Sequence, residues 1–394
     1  MKKRAKPSKV GQFHYDNALV GSCIGLLVLG FIMVASSSWH LKDKFGNLLN
    51  LPIKQMVHII LGLVLAKLVA DIPLRYWEKM GPWLFIVGLL MLVLVLIPGI
   101  GTEVNGSIRW IDLGVIRIQV SEAVKFAAVL YMAGYINRHQ KAIRETALSL
   151  YKPLVLFSVA GLLLLMEPDF GSTVVILVIA MGMMFLAGAK LSQFILLLSL
   201  VSSLATVLVI YAPYRLKRVS SFMDPWADPL NTGFQLVNAL ISFGRGEVLG
   251  VGLGNGIQKL SYLPEAHTDF LFSVIAEELG LAGVVLTIAL FAILVWRVFA
   301  IAKVAEQADE PFAAYTAYGL GIWFGFQAFV NMGVNMGILP TKGLTLPLMS
   351  YGGGSMIIMC CAVGLMFRVH SEITELNANS IPEPRVKAAR AKNV

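Results

Sequence analysis

The chain has 394 residues, of which 57% are hydrophobic and only 14% are charged. Because soluble domains carry about 25% charged residues, this composition excludes a secreted domain, a disordered chain and a nucleic-acid-binding protein. The net charge of +9 comes from basic residues at the ends of apolar runs, which indicates membrane topology rather than an anionic partner.

Ten apolar segments approach the roughly 20 residues that a helix needs to cross a bilayer. They predict an all-α, polytopic membrane domain over residues 17–368, between a basic N-terminal tail (1–16) and a C-terminal tail (369–394) that is disordered from 381 onwards. The first segment lacks a clear cleavage site, so we expect an uncleaved helix. The predicted spans are 17–37, 54–71, 82–99, 119–137, 152–166, 170–188, 191–212, 269–302, 312–334 and 344–368.

Basic residues are concentrated in alternate connections, which predicts that both termini are cytoplasmic. Residues 213–268 then form one long extracytoplasmic loop between spans 7 and 8. Its start is basic, against that rule, and Arg215, Lys217 and Arg218 suggest anionic headgroups or phosphates. Apolar positions from Phe234 to Phe243 predict a helix lying on the outer leaflet.

The glycine-rich run at 244–256 superficially resembles a dinucleotide-binding fingerprint. That motif requires a strand, a turn and a helix in a βαβ unit, which the surrounding membrane helices do not provide. We therefore expect these glycines to let a tightly turned or re-entrant backbone lie close to a ligand or a neighbouring helix.

Ionisable residues inside spans are costly to insert and are normally paired or face a cavity. Glu122 and Lys125, at the start of the fourth span, have i, i+3 spacing and therefore share a helix face. They predict either a buried ion pair that holds helices together or part of a site. Glu167 and Asp169, between two spans at the outer surface, are either part of a site or a solvated turn, and the neighbouring proline favours the turn.

Asp269 falls where the long loop meets the membrane, and it is either a catalytic carboxylate or the N-cap of the eighth span. Glu277 and Glu278 follow inside that span. At 1.5 Å per residue they lie roughly 12 to 14 Å from Asp269 along the helix, too far to share one small reaction centre. They are better interpreted as buried polar contacts or cavity lining.

Five segments, read together, resemble motifs of the SEDS family (shape, elongation, division and sporulation) in the order that the family has them. The resemblance covers nearly all of the chain, and the form Pro-Glu-Ala-His-Thr-Asp at 264–269 is closer to the division member than to the elongation member. One departure is Val120, where the family usually has proline, and it leaves the entry angle of the fourth span open. The segments are residues 105–114, 167–171, 262–270, 277–280 and 339–353.

The resemblance implies a peptidoglycan glycosyltransferase that joins lipid II units into β-1,4 glycan strands at the outer face of the bacterial cytoplasmic membrane, at the septum. Asp269 matches the family's essential acid and is expected to be the general base on the acceptor 4-hydroxyl. That hydroxyl would attack C1 of the donor sugar, with inversion, and expel undecaprenyl pyrophosphate.

The resemblance also implies cations for the pyrophosphate groups: Arg117, Lys125 and Lys342, with Arg109 and Arg215 as weaker candidates. Further candidates for lining the site are Glu122, Glu265, His267 and Ser350. No cofactor is certain and no motif predicts a dedicated metal site, although Mg²⁺ or Mn²⁺ often accompanies pyrophosphate.

The expected partners are a class B penicillin-binding protein transpeptidase, other division proteins and membrane lipids, with no nucleic acid. Three alternatives stay open: a flippase or transporter for the lipid-linked precursor, an elongation-type polymerase, and a non-enzymatic scaffold. A carrier would place its key groups near the membrane midplane, whereas Asp269 and the long loop lie at one surface.

Overall fold

Eleven helices within the described residues make up most of the molecule, and ten of them overlap the predicted spans. The computed structural model describes residues 13–41, 49–104, 107–112, 117–211, 220–260, 262–340 and 343–380. The helices are α1 (Asn17–Ser38), α2 (Asn50–Asp71), α3 (Leu74–Val95), α4 (Val120–Glu145), α5 (Ala147–Met166), α6 (Phe170–Leu186), α7 (Leu191–Ile210), α8 (Phe234–Gly246), α9 (Leu271–Gln307), α10 (Pro311–Asn335) and α11 (Gly353–Ser380).

The molecule is a polytopic membrane protein. Within the described ranges, five helices are long and apolar enough to cross a bilayer: α1, α2, α3, α9 and α11. Each of the ten predicted spans overlaps a helix, but the boundaries of three helices clearly differ, and one of these, α4, ends at Glu145 rather than at 137. Helix α3 begins at Leu74 rather than at 82, and α11 begins at Gly353 rather than at 344 and continues to Ser380. The number of crossings and the side of each terminus stay predictions.

A small antiparallel sheet lies between α3 and α4, where the sequence predicted only a loop. Strands β1 (Gly101–Val104), β2 (Ser107–Asp112) and β3 (Arg117–Gln119) pair in the order β1-β2-β3. The all-α prediction is therefore wrong at this point, because these strands are too short for a reliable alternation of apolar and polar residues. Strand β3 leads directly into α4, which begins at Val120 without the family's usual proline.

Helix α10 lies at the centre of the bundle, in contact with α4, α6, α9 and α11. Its Trp323 and Phe324 are fully buried. The outer helices α2 and α7 instead present exposed apolar side chains, such as Leu63 and Leu196, as expected of surfaces that face lipid. Polar residues on α4 and α10 are consequently enclosed in the middle of the protein.

Helix α9 is broken at Gly280, whose backbone has φ +63° and ψ −160°. A Cβ atom here would lie 2.4 Å from the backbone nitrogen of Gly250, so only glycine fits. The expectation that the glycine-rich run lies against a neighbouring helix is confirmed. Four backbone hydrogen bonds join the break to this run: from Val251 to Glu277 (3.0 Å), from Gly252 to Glu278 (3.1 Å), from Leu281 to Glu247 (2.9 Å) and from Ala282 to Val248 (3.1 Å).

The predicted amphipathic helix of the long loop is present as α8. Its apolar face packs against protein: Leu236 and Val237 are buried, and the ring of Phe243 meets that of Phe272 edge-on at 5.7 Å. The prediction that this apolar face lies on the outer leaflet is therefore wrong, because α9 and the end of α10 cover it.

Candidate active site

Asp269 follows a tight turn that Glu265 stabilises. Glu265 has a left-handed backbone (φ +57°), and its carbonyl accepts hydrogen bonds from the N–H groups of Thr268 and Phe270 at 3.1 and 3.2 Å. Its carboxylate accepts the Thr268 hydroxyl at 2.8 Å. Phe270, rather than Asp269, occupies the N-cap position of α9, so the structure does not assign Asp269 the alternative role of helix cap.

Two asparagine side chains of α10 hold the main chain at Asp269. The Nδ2 atoms of Asn331 and Asn335 each donate to the Asp269 carbonyl, both at 2.9 Å. The Oδ1 atom of Asn335 also accepts from the N–H and hydroxyl of Ser273, in the first turn of α9, at 3.0 and 2.7 Å. Both amides are buried, and Asp269 itself is half-buried. The backbone at Asp269 is therefore fixed by α10, while the residue as a whole remains partly exposed.

Residues 343–351, a non-helical segment before α11, run alongside Asp269. Asn331 Nδ2 also donates to the Leu344 carbonyl at 2.6 Å, which joins this segment to Asp269 through one side chain. The Ser350 hydroxyl donates to the Thr268 carbonyl at 2.6 Å and accepts from the Leu346 N–H at 2.9 Å. Ser350 thus fastens two chain segments together, which is a structural use of a residue predicted to line the site.

Lys125 is fully enclosed. Its Nζ atom lies 2.7 Å from Oε1 of Glu122 and 2.8 Å from Oε1 of Gln327 on α10, and it lies over the ring of Trp323. Gln327 Nε2 continues the network by donating to the Thr345 carbonyl at 3.0 Å. The predicted pairing of Glu122 with Lys125 is confirmed, and it links α4 to α10 and to the segment beside Asp269.

The two described arginines of the sheet have different environments. Arg117, on β3, is exposed and forms an ion pair with Asp112 at 2.9 Å across the β2–β3 register. The main chain of Arg117 also packs closely against Gly354 at the start of α11. Arg109, on β2, instead donates to the main-chain carbonyls of Glu167 and Pro168. Arg117 is therefore the more accessible cation, whereas Arg109 supports a turn.

That turn is buried, so the prediction of a solvated turn is wrong. Glu167 is 0% exposed and Asp169 is 2% exposed. Asp169 caps α6 by accepting from the Ser172 N–H at 3.1 Å. Both carboxylate oxygens of Glu167 lack a hydrogen-bond partner. Burial, together with the charge of Asp169, raises the pKa of Glu167 to about 8 despite the opposing charge of Arg109, so the group is largely protonated at neutral pH.

His267 lies beside the site with its ring 5.7 Å from that of Tyr351. The main chains of these residues are also joined, since the Tyr351 N–H donates to the His267 carbonyl at 2.9 Å. Burial lowers the pKa of His267, with Glu265 opposing and His40 adding to the decrease. The imidazole is consequently neutral at pH 7.

Glu277 and Glu278 are buried side by side before the break in α9, and they bind the loop. Glu277 Oε1 accepts the Ile257 N–H at 2.8 Å, and Glu278 Oε2 accepts the Gly254 N–H at 3.0 Å. Glu278 also forms an ion pair with Lys259 at 2.5 Å. Their interpretation as buried polar contacts is confirmed, and they anchor the chain that leads to Asp269.

An apolar cavity of about 470 Å³ opens between α1, α2 and α11. Leu348, in the segment beside Asp269, forms part of its wall, together with Leu27, Leu63 and Val363. The cavity walls are suited to hydrocarbon rather than to a polar group.

Within the part of the chain that the structure describes, no group of three or more His, Cys, Asp or Glu side chains is arranged to hold a metal ion.

The structure thus brings Asp269, Glu265, His267 and Ser350 together, and it connects Glu122 and Lys125 to them through Gln327. Lys342 and Arg215 lie outside the described residues. The sequence interpretation missed the amides of α10. The sequence does contain a signal for these amides. On one face of an otherwise apolar span, a polar residue recurs every four positions, at Gln327, Asn331 and Asn335.

The chain is similar to known proteins over most of its length. Residues 17–375 match the family of FtsW, RodA and SpoVE, described as cell cycle protein. A probable peptidoglycan glycosyltransferase FtsW from Methylomonas methanica is 62% identical over 377 residues, which cover 95% of this chain and 97% of that protein. The corresponding protein of Methylococcus capsulatus is 56% identical over 363 residues, covering 92% and 91% of the two chains.

Solved structures have the same fold. A chain from a peptidoglycan synthase complex, described for its structural coordination of polymerization and crosslinking, matches with a TM-score of 0.74 and 31% identity, covering 91% of this chain and 98% of that one. The rod shape determining protein RodA of Thermus thermophilus matches with a TM-score of 0.66 and 29% identity over 91% and 97% of the chains. The protein therefore belongs to the FtsW, RodA and SpoVE family of cell cycle proteins, the SEDS family that its motifs resemble.

Proposed function

We propose that this protein is a division-type peptidoglycan glycosyltransferase that polymerises lipid II. The similar FtsW proteins are named as probable peptidoglycan glycosyltransferases and match this chain almost end to end. The observation that supports the proposal most strongly is the position of Asp269. Its main chain is fixed by Asn331 and Asn335, and its carboxylate lies at a half-buried surface beside residues 343–351.

Asp269 acts in this proposal as the general base. Its carboxylate accepts the proton of the acceptor 4-hydroxyl as the hydroxyl oxygen bonds to C1 of the donor sugar. The bond from C1 to the pyrophosphate oxygen breaks on the opposite side, which inverts the configuration and releases undecaprenyl pyrophosphate. A base whose backbone is held by two buried amides needs little rearrangement to reach the reacting hydroxyl.

The leaving pyrophosphate requires positive charge close to the base. Arg117 is the accessible candidate among the described residues, and Lys342 is adjacent in sequence to the segment that contacts Asp269. Lys125 would reach a phosphate only after leaving Gln327, so we assign it first to holding α4, α10 and residue 345 in place. Mg²⁺ or Mn²⁺ would supply further charge at the pyrophosphate.

The same proposal requires a site for the lipid chain of the substrate and a partner protein. The apolar cavity between α1, α2 and α11 is suited to part of a polyprenyl chain, since its wall includes Leu348 of the segment beside Asp269. We place the long loop outside the cytoplasmic membrane at the septum, with both termini inside. The similarity to a chain of a peptidoglycan synthase complex supports a class B penicillin-binding protein as partner.

The test is polymerisation of lipid II by the purified full-length chain with its transpeptidase. Asp269→Asn keeps the shape of the side chain but removes the proton acceptor, and we expect it to abolish glycan synthesis while membrane insertion and partner binding persist. Asp309→Asn, the same exchange at an exposed position between α9 and α10, serves as control and should retain activity. Glycan of normal length and rate from Asp269→Asn would disprove the assignment of the base.

The same samples separate a polymerase from a carrier. A carrier would move fluorescent lipid II across a vesicle membrane whether or not Asp269 can accept a proton. The enclosed Glu122–Lys125 pair, which a proton-coupled carrier would need to open, is bonded on both helices. Transport without polymerisation by the wild-type protein would replace the proposed function with the carrier.

A further inference from the structure

A turn after α8 exposes three apolar side chains in a part of the chain that does not itself span the membrane. Val248 is 63% exposed, Leu249 is 79% exposed and Leu253 is 54% exposed. Gly250 and Gly252, both with left-handed backbones, lie between Leu249 and Leu253. Large exposed aliphatic side chains grouped in this way indicate a contact surface rather than a solvated loop.

The position of this turn is fixed by the break in α9. The carbonyls of Glu247 and Val248 accept the N–H groups of Leu281 and Ala282, the first residues after the break. Leu281 is itself 54% exposed, and Val285, one turn further, is 55% exposed. The apolar surface of the turn therefore continues directly into the outward face of α9.

The length of α9 shows where that surface lies. A hydrocarbon layer of about 30 Å takes about 20 helical residues, which from Leu281 ends near Ala300. Arg297 and Lys303 lie on either side of that point, as expected where a helix leaves the apolar layer. Leu281 and the turn bonded to it are consequently at the opposite edge of the layer, on the side of the long loop.

We infer that the turn at residues 248–253 inserts into the bilayer leaflet on the side of the long loop, where Val248, Leu249 and Leu253 contact lipid acyl chains. Helix α8, whose sequence suggested this role, instead has its apolar face covered by α9.

The backbone of the turn is suited to an apolar medium, in which polar groups must be satisfied within the protein. The N–H of Gly250 donates to Gly246 at 2.8 Å, and the N–H groups of Val251 and Gly252 donate to the helix end before the break. The Asn255 N–H donates back to Gly252 at 3.1 Å and closes the turn. These internal bonds lower the cost of taking the turn out of water.

The experiment measures how deeply a single fluorescent label at each chosen position lies in the bilayer. Full-length protein with Cys23, Cys360 and Cys361 replaced by alanine receives one new cysteine, carries an environment-sensitive thiol label, and is reconstituted in phospholipid nanodiscs. Leu249→Cys and Leu253→Cys test the turn. Leu281→Cys is the lipid-facing reference, and Asn231→Cys, exposed in the same loop, is the aqueous reference. Each sample is quenched by lipids brominated near the top of the acyl chain and, separately, by iodide.

We expect the labels at 249 and 253 to lose emission to brominated lipid as the label at 281 does, and to resist iodide. The label at 231 should show the reverse. Quenching by iodide but not by lipid at both turn positions would overturn the inference. Resistance to both quenchers would also overturn it, because a protein surface would then cover the turn. The readout is independent of polymerisation, so its failure leaves the proposed activity untouched.

Discussion

A Cβ atom placed on Gly343 would lie 2.9 Å from Oδ2 of Asp269. Real Cβ atoms essentially never make so short a contact, so a side chain at 343 must displace the carboxylate or the segment. Asn331 meanwhile bonds the carbonyls of both Asp269 and Leu344 at 2.9 and 2.6 Å. The distance between the proposed base and residues 343–351 is therefore set by one glycine and one amide.

Gly343→Ala should slow lipid II polymerisation about two- to tenfold, because forcing a side chain off its preferred position costs about 0.5–1.5 kcal/mol and roughly 1.4 kcal/mol is tenfold in rate. Steady-state rates and thermal unfolding are the measurements. Gly244→Ala is the matched control, since a Cβ there meets nothing within 4 Å. An unchanged rate for Gly343→Ala would show that the carboxylate tolerates displacement.

Asn331→Ala should lower kcat more than it raises KM, because it removes two hydrogen bonds that position Asp269 and Leu344 without contacting substrate. Each such bond contributes about 0.5–1.5 kcal/mol. Asn335→Ala should act in the same way through Asp269 and Ser273. A variant that changes only KM would contradict the positioning role, as would an equally large effect from Asn379→Ala at the exposed end of α11.

Lys125→Met should destabilise the protein strongly, since it leaves the Glu122 carboxylate buried without its cation, a change that costs about 3–5 kcal/mol. Adding Glu122→Gln should restore much of the thermal stability. Lys67→Met, in the exposed Lys67–Asp71 pair of α2, should cost little by comparison. If the double variant regains stability but not polymerisation, Lys125 also contacts the substrate, whereas recovery of both assigns it to packing alone.

Stability should fall as pH rises from about 4.5 to about 8, because Glu167 is held protonated in the folded protein and its pKa there is about 8. The folded state binds more protons than the unfolded state across this window, so raising the pH favours unfolding. Glu167→Gln should flatten this dependence and give the more stable protein above pH 8. If the stabilities of wild type and Glu167→Gln change with pH in parallel, Glu167 is not the source of the pH dependence.

The helices could be predicted from the sequence because the hydrocarbon layer imposes one length and one composition on them. Asp269 could be proposed from its place at the junction of loop and helix, and from its motif. Neither the loop–helix junction nor the motif identified the two asparagines that position Asp269. Asn331 and Asn335 act on the main chain of Asp269, more than sixty residues away, and no local pattern links the two.

Burial was the quantity that the sequence predicted least well. Glu167 and Asp169 have the composition of a solvated turn, but β2 covers that turn through Arg109. The same short strands escaped prediction because pairing with one another and packing against α3, α4 and α11 stabilise them, and neither leaves a local pattern in the sequence. In α8 the amphipathic pattern was correct, but periodicity cannot distinguish a helix face that meets lipid from one that meets protein.

The break at Gly280 also constrains the order in which the protein is assembled. While α9 enters the membrane during synthesis, its interruption presents two carbonyls and two N–H groups that have no partner within the helix. Their partners lie at residues 247–252, which precede α9 in the chain and have therefore already left the ribosome. These hydrogen bonds form only when the preceding glycine-rich turn has folded back against the break. A chain whose glycine-rich turn is deleted should accordingly be degraded during membrane insertion, so that no folded protein accumulates.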